Sequence, residues 1–312
     1  MVFLGNDKAK QTLYKMTKSG RTSHAILLCG EKGSGKKTFA RLLAQAFLCE
    51  SENAPCGVCD ICKKVESKNH VDVEEISEFV RPNSFSVERV RDIRKNAYIS
   101  PNEGKKRVFI LANADCMSDS AQNALLKIIE EPPETAVFIL TAQNREKLLP
   151  TVLSRCVTIP LLPIEENEAL NFVSSRYPDF DKDSLLKLSS VFGGNIGALS
   201  EAVENPKALE EIESAASLLD TLIKNDRYGT LVRLSKLQSS AAAVPVLENA
   251  VFILSKSVSK EAVFNLECAP IESRLFWLGE FIEALGNIRK NANIPLLMTQ
   301  LCVKLYSLGE CL

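Results

Sequence analysis

A short glycine-rich segment near the amino terminus constrains this chain more than any other feature. It reads Gly-Glu-Lys-Gly-Ser-Gly-Lys over residues 30–36, directly after an apolar run at 25–29 and before a segment with helical periodicity. In this strand–loop–helix setting, backbone N–H groups and the helix N-terminus can surround phosphate groups, and the lysine reaches the outer ones. The segment therefore predicts a P-loop fold, and the candidate phosphate-binding residues are Gly30, Gly33, Gly35, Lys36 and Thr38.

The hydrophobic pattern around this loop predicts an α/β domain. Buried strands are indicated by apolar runs at 25–29, 71–76, 108–112, 137–141 and 157–159. Helical periodicity separates several of them, most clearly at 121–131, where Pro132 and Pro133 end the helix. Strands separated by helices imply a parallel sheet with helices on both faces, so the predicted fold class is an α/β P-loop domain.

Beyond about Pro163 the pattern becomes helical, and no further strand is predicted. Gly193-Gly194-Asn195 and Asn205-Pro206 interrupt this helical part of the sequence. We therefore predict three domains: the P-loop domain over 1–163, a small helical domain over 164–205, and a larger all-helical domain over 206–312.

Charge and composition argue against several classes of function. The 38 Lys and Arg residues against 39 Asp and Glu leave a formal net charge of -1, whereas a free-standing DNA-binding protein usually carries a basic excess. No apolar run approaches the roughly 18 residues that a membrane span needs, and charge comes too early at the amino terminus for a signal peptide. Ten cysteines without an export signal favour a reducing compartment. We therefore predict a cytoplasmic protein.

The phosphate loop lacks the residues that would hold Mg²⁺. The position after Lys36 should be Ser or Thr, but it is Lys37, whose ammonium has no lone pair for a metal. Thr38 follows, yet one step along a helix turns its side chain about 100° away. The strand at 108–112 should end in an acidic pair, but it ends in Ala112-Asn113, and Asp115 comes too late. ATP hydrolysis by this chain alone is therefore not expected, whereas ATP binding stays open.

Four cysteines lie close together after the P-loop helix. They are Cys49, Cys56, Cys59 and Cys62, with the spacing C-x6-C-x2-C-x2-C. Zn²⁺ takes four tetrahedral ligands, and cysteine pairs two residues apart readily reach one metal. Four free thiols are the alternative, but the other cysteines are scattered and these are not. We predict structural zinc, since four cysteines leave no open position for water.

Two motifs and one segment carry a family resemblance. The motifs are Asn-Ala-Leu-Leu-Lys-Ile-Ile-Glu-Glu-Pro-Pro at 123–133 and Ser-Arg-Cys at 154–156, and the segment is 289–297 near the carboxyl end. Together with the cysteine cluster, they closely resemble the clamp-loader subunits of bacterial DNA polymerase III, which are AAA+ proteins. The resemblance covers nearly the whole chain. It implies an AAA+ fold in which 164–205 is a helical lid and 206–312 is an oligomerising collar.

The resemblance also implies a pentameric ring that opens a sliding clamp and loads it onto primed DNA. The gamma/tau ATPase subunits of this family have Thr after the P-loop lysine and an Asp-Glu pair on the strand. This chain has Lys37, Ala112 and Asn113 there, and its segment 193–199 lacks the arginine with which active members sense nucleotide. These departures are typical of the delta-prime subunit, a stator without catalysis of its own within a DNA-directed DNA polymerase holoenzyme. Its expected partners are gamma/tau and delta and, indirectly, the sliding clamp and primer–template DNA, with no membrane.

The same resemblance gives Arg155 a role in trans. Within Ser154-Arg155-Cys156, it implies that the arginine lies at the subunit edge and faces a neighbour's γ-phosphate. An arginine finger adds a planar, fixed positive group where charge develops during phosphoryl transfer. Without the family context, an exposed arginine at a helix end would be the simpler interpretation.

Two other functions stay open from the sequence. The first is an ATP-hydrolysing gamma/tau-like subunit, which would have to recover Mg²⁺ coordination through Thr38 or Asp115. The second is a zinc-dependent nucleic-acid-binding protein on the same fold, although the near-zero net charge speaks against it.

Overall fold

The structure is a computed structural model that describes residues 3–19, 23–77, 85–258 and 266–307. The chain divides into two compact units. The P-loop unit consists of Met1–Glu165 with Asn195–Gly197, and the helical unit consists of Glu166–Gly194 with Ala198–Leu312. The division of the helical part into a lid and a collar stays a prediction.

The P-loop unit is built on a five-stranded parallel sheet. Its strands are β1 (Ala25–Cys29), β2 (Val73–Ile76), β3 (Arg107–Leu111), β4 (Ala136–Ala142) and β5 (Val157–Pro160), in the spatial order β2-β3-β4-β1-β5. All seven residues of β4 are buried, as expected for a central strand that is covered on both faces. The predicted fold class is confirmed. Strand β2 begins two residues later than predicted, because the backbone turns at 71–72.

Helices cover both faces of this sheet. They are α1 (Asp7–Ser19), α2 (Lys36–Leu48), α3 (Asp60–Glu66), α4 (Val87–Ala97), α5 (Asp119–Glu130) and α6 (Pro150–Leu153). Side chains alternate along β1, so that Leu27 joins the core under α4 and α5, while Leu28 joins the core under α1 and α2. The Phe109 and Phe138 rings stack in the first core with centroids 5.3 Å apart. Each face of the sheet therefore has its own hydrophobic core.

Local sequence explains the ends of α5, which matters for the site. The side chain of Ser118 accepts a hydrogen bond from the backbone N–H of Ala121, so it caps the amino end. Glu131 leaves the helical conformation with φ −125°, and Pro132 follows it. The residue before a proline is pushed out of the helical region, so α5 ends at Glu130.

The helical unit shows no strand among residues 166–194, 198–258 and 266–307. Its helices are α7 (Glu166–Arg176), α8 (Lys182–Phe192), α9 (Ile196–Glu204), α10 (Pro206–Ile223), α11 (Arg227–Ser235), α12 (Ser240–Val258), α13 (Ile271–Arg289) and α14 (Ile294–Leu305). The first two residues of α9 belong to the P-loop unit. The helical character predicted for this part of the chain is confirmed.

Helix α12 is long and strongly apolar. Among the described residues, it is the one helix whose length and composition would suffice for a membrane span, with a mean hydropathy of 1.4. Seven of its residues are buried, including Leu247, Ala250 and Leu254, and it packs against α10 and α13. A core helix of a folded protein can have the same length and composition, so a membrane span does not follow from the hydropathy of α12.

Candidate functional site

The phosphate loop occupies the carboxyl end of β1, as its motif predicts. Gly33 and Gly35 have φ of 86° and 81°, in the left-handed region that favours glycine. Gly35 is also the residue before α2, so the loop leads directly into the helix N-terminus. Of the predicted phosphate-binding side chains, Lys36 is buried and Thr38 is half-buried. The loop geometry suits a phosphate cradle.

The side chain of Lys36 forms hydrogen bonds to the backbone of the phosphate loop. Its Nζ donates to the carbonyl oxygens of Gly30 and Glu31, each at 2.7 Å. Burial lowers the pKa of Lys36 to about 8, although the nearby charges of Asp115 and Cys29 oppose that shift. A bound phosphate would therefore have to displace two hydrogen bonds that the lysine already makes.

The end of β3 carries no carboxylate for a metal. Ala112 is fully buried, and Asn113 has the left-handed φ of 56°, with its N–H donating to Thr141 Oγ1. The next acidic residue, Asp115, accepts hydrogen bonds from the backbone N–H groups of Gln143 and Asn144 through Oδ2. Asp115 therefore holds the loop that follows β4.

A distant segment packs directly on the phosphate loop. The Nδ2 of Asn195 donates to the carbonyl of Lys32 at 2.7 Å, and the N–H of Gly197 donates to the carbonyl of Gly33 at 3.1 Å. A Cβ atom at Gly197 would lie only 2.5 Å from the Gly33 oxygen. This close approach explains why glycine, and no larger residue, stands where the segment meets the loop.

The four clustered cysteines form one pocket of sulfur atoms. Their Sγ atoms all lie within 4.8 Å of one another, and Cys49 Sγ lies 3.6 Å from that of Cys56 and 3.9 Å from that of Cys59. Zn–S bonds of about 2.3 Å in a tetrahedron place sulfur atoms about 3.8 Å apart. The residues present therefore fit a tetrahedral metal ion.

Two helices position these ligands. Cys49 follows the carboxyl end of α2, while Cys59 caps α3 and accepts a hydrogen bond from the N–H of Cys62. Backbone N–H groups of Val58 and Cys59 lower the pKa of the Cys56 thiol to about 6. Hydrogen bonds of this kind favour the thiolate, which is the form that binds metal. The cluster can therefore hold a metal ion.

Arg155 lies at the opposite end of the sheet from the phosphate loop. It directly precedes Cys156 and β5, whose first residue pairs with Ile26 of β1. Gly30 comes four residues after Ile26, which is about 13 Å along a strand. Cys156 packs on the core of the sheet, and burial raises the pKa of its thiol to about 11. The arginine is therefore anchored at the amino edge of β5 and lies away from its own chain's phosphate loop.

The guanidinium of Arg155 has three acceptors. Its Nη2 lies 2.8 Å from Glu130 Oε1, and its Nη1 donates to the Thr151 carbonyl at 3.1 Å and to Ser154 Oγ at 3.2 Å. Ser154 Oγ in turn donates to the Thr151 carbonyl. These acceptors orient the Arg155 side chain, which is 39% exposed and therefore accessible to another molecule.

Two groups of site residues could not be predicted from the sequence. Asn195 and Gly197 contact the phosphate loop, although the sequence indicated only that their segment lacks an arginine. Glu130 forms an ion pair with Arg155, whereas in the sequence it stood out only as one residue of the motif at 123–133. The one signal available was Gly197 itself, because a glycine within a helical pattern often marks a close approach.

Comparisons with known proteins identify the family. A family model described as "DNA polymerase III, delta subunit" matches residues 5–165. The DNA polymerase III subunit delta' of Bacillus subtilis (strain 168) is 31% identical over 215 residues, which cover 68% of this chain and 62% of that protein. The DNA polymerase III subunit gamma of Buchnera aphidicola subsp. Acyrthosiphon pisum (strain APS) is 31% identical over 242 residues, covering 70% of this chain and 66% of that one.

A crystal structure of a gamma-subunit-related protein from Thermotoga maritima is 18% identical, with a TM-score of 0.49, and the match covers 94% of this chain and 98% of that one. The chain spans less than two thirds of the length of both curated relatives. The family model, however, covers more than half of this chain. The resemblance predicted from the motifs is therefore confirmed, and the chain belongs to the DNA polymerase III delta-subunit family.

Proposed function

We propose that this chain is a delta-prime-type subunit of the DNA polymerase III clamp loader. In this role it is a stator of the pentameric ring that loads the sliding clamp onto primed DNA. It supplies Arg155 to the ATP site of a neighbouring subunit and hydrolyses no ATP itself. The observation that carries the proposal is that Arg155 lies at the amino edge of β5, remote from the phosphate loop at the carboxyl end of β1.

The surroundings of the phosphate loop support the absence of hydrolysis. Mg²⁺ would need the hydroxyl after Lys36 and a carboxylate at the end of β3, and the chain has Lys37 and Ala112 at these places. Lys37 is exposed, and Ala112 is buried without a polar group. Without a metal to neutralise the developing charge, phosphoryl transfer at this loop would lose its main electrostatic stabilisation.

The geometry of Arg155 supports action on another chain. A guanidinium stabilises a transferring phosphoryl group only through direct contact, and about 13 Å of strand separates the two ends of this sheet. The side chain is also partly exposed, as a donor to a partner must be. The partners proposed are the gamma/tau ATPase and delta subunits and, through them, the clamp and primer–template DNA. We place this assembly in the cytoplasm.

The cysteine cluster has a structural role in this proposal. Zinc on Cys49, Cys56, Cys59 and Cys62 would join the end of α2 to the start of α3. With four protein ligands it would have no open position for a substrate or water. Its contribution is therefore the stability of the P-loop unit, and no step of catalysis depends on it.

The proposal is tested by Arg155→Ala in the complex reconstituted with gamma/tau and delta subunits. Clamp-dependent ATP hydrolysis should fall partially, since an arginine finger is worth about 10³–10⁵ in rate at its own site while other sites keep theirs. Arg155→Lys should restore little, because an ammonium cannot reproduce the planar fork. Arg176→Ala removes an exposed arginine of α7 and serves as the matched control. An unchanged rate in the Arg155→Ala complex, at equal assembly, would refute the finger.

A second candidate function is an ATP-hydrolysing gamma/tau-like subunit, which one observation favours. Burial lowers the pKa of Lys36, and Asp115 lies near enough for its charge to oppose that shift. The Oδ1 of Asp115 is buried without a hydrogen-bond partner among the described residues. A carboxylate there could reach a metal. The isolated chain should nevertheless show no turnover, and ATP turnover that Lys36→Ala abolishes would favour this second candidate.

A further inference from the structure

We infer that Glu130 is a positioning residue, which holds the guanidinium of Arg155 in the direction in which it acts. The inference rests on the proposed function, because it concerns how the arginine finger is presented. It starts from the ion pair between Glu130 Oε1 and Arg155 Nη2, at 2.8 Å. This pair joins the end of α5 to the residue before β5.

The contacts of Arg155 define one direction for a long side chain. Thr151 and Ser154 precede the arginine in the same turn, so their two acceptors hold Nη1 close to its own backbone. Glu130 is the acceptor that comes from a different element of the fold. An arginine side chain has many rotamers, and a planar fork with acceptors on both terminal nitrogens retains few of them. Glu130 therefore supplies the contact that orients the fork relative to the sheet.

The position of Glu130 is unfavourable unless a cation lies beside it. Glu130 is the last residue of α5, where the helix dipole places partial negative charge, and Glu131 adds a second carboxylate directly after it. Two carboxylates at this end of a helix attract a cation strongly. The fold brings Arg155 to that place, which explains why the ion pair forms although both side chains reach solvent.

Because the Glu130–Arg155 ion pair is exposed, it is weak enough for the guanidinium to contact a phosphate. The side chain of Glu130 is 45% exposed and that of Arg155 is 39% exposed, so water and salt screen their attraction. A γ-phosphate carries more charge than a carboxylate and accepts bidentate hydrogen bonds from arginine. The guanidinium can therefore turn toward a neighbour's phosphate while one edge stays on Glu130.

The test compares Glu130→Gln, Glu131→Gln and Arg155→Ala, each as the full chain in the reconstituted complex. Glu131→Gln removes another exposed carboxylate one residue away and is the matched control. Both Arg155→Ala and Glu130→Gln should lower the clamp-dependent kcat. The decrease in Glu130→Gln should be at least roughly half of the decrease in Arg155→Ala, because a misplaced catalytic group loses most of its effect. The KM for ATP should stay within about twofold, since the neighbour's own loop binds the nucleotide. In an Arg155→Ala background, Glu130→Gln should have no further effect.

A second measurement needs only the isolated chain. In ¹⁵N–¹H spectra of arginine side chains, the Arg155 signal (assigned by its loss in Arg155→Ala) should shift and broaden in Glu130→Gln and stay unchanged in Glu131→Gln.

The outcomes separate the two claims. If Arg155→Ala leaves the complex unchanged, the proposed function is wrong and the inference falls with it. If Arg155→Ala lowers the rate but Glu130→Gln behaves like the wild type, only the inference is overturned. It is overturned equally if Glu130→Gln lowers the rate without Arg155, because Glu130 would then act through the fold.

Discussion

Replacing Asp72 by asparagine should destabilise the P-loop unit strongly, because this carboxylate organises a loop from the inside. Asp72 is fully buried just before β2. Its Oδ1 accepts hydrogen bonds from the N–H of Asn102 at 2.7 Å and from the Asn102 Nδ2 at 3.2 Å. Its Oδ2 accepts from the N–H groups of Glu103 at 2.8 Å and Gly104 at 2.9 Å. The loop before β3 is thus wrapped around one negative charge.

The magnitude follows from how these donors are shared. Asparagine has the same shape, but one of its two terminal atoms is a donor, and in either orientation that atom faces two donors of the loop. Two of the four hydrogen bonds are therefore lost, and each bond to a charged acceptor contributes about 1.5–3 kcal/mol. We expect Asp72→Asn to lower the free energy of unfolding by about 3–6 kcal/mol, out of a typical total of about 5–15 kcal/mol.

The pH dependence has a definite sign. Burial would raise the pKa of the Asp72 carboxyl, but the backbone N–H groups of Asn102, Glu103 and Gly104 outweigh it, so the folded-state pKa lies below its ordinary value. A carboxyl with a depressed folded-state pKa stabilises the protein above its unfolded pKa of about 3.9 and loses that contribution as the pH falls through the folded value. The difference between wild type and Asp72→Asn should therefore shrink as the pH is lowered from 5 toward 2.

The measurement is urea unfolding followed by far-UV circular dichroism, at pH 7 and at a series of acidic values. Asp92→Asn is the control, because Asp92 is exposed and forms an ion pair with Lys95 one helical turn away. It should change the free energy of unfolding by less than about 0.5 kcal/mol. The reasoning is refuted if Asp72→Asn lowers the free energy of unfolding at pH 7 by less than about 1 kcal/mol. It is also refuted if the difference in free energy of unfolding between wild type and variant stays constant on acidification.

Two further predictions concern the cysteine cluster and the phosphate loop. Protein purified without chelator should contain about one zinc ion per chain by metal analysis, and Cys59→Ser should lose it while Cys268→Ser, at an exposed cysteine outside the cluster, keeps it. Gly197→Ala should cost about 1–3 kcal/mol in thermal unfolding, because its Cβ would meet the Gly33 backbone at 2.5 Å. Gly279→Ala, within α13 and with nothing within 4 Å of its Cβ, should be neutral or stabilising. Full zinc content in Cys59→Ser, or equal stability of both glycine variants, would contradict these expectations.

Much of this protein could be predicted from local sequence, because the deciding interactions lie close together along the chain. The phosphate loop needs glycines at fixed spacing between a strand and a helix, and Gly33 and Gly35 adopt the left-handed φ that this spacing implies. The cysteine cluster spans only fourteen residues, so short turns bring its sulfur atoms together. The strands were visible as apolar runs, since parallel strands are buried on both faces. The zinc ion, the arginine finger and the lid–collar division stay predictions.

Only the tertiary structure decided which residues support these sites. Asn195 reaches the phosphate loop from 163 residues further along the chain, and Asp72 takes its donors from a loop 30 to 32 residues later. Glu130 meets Arg155 because α5 ends where the chain enters β5. Hydrophobic periodicity shows which face of an element is buried, but not which element will cover it. The order of strands in the sheet and the ends of its helices decide those meetings, and they arise only when the whole core packs.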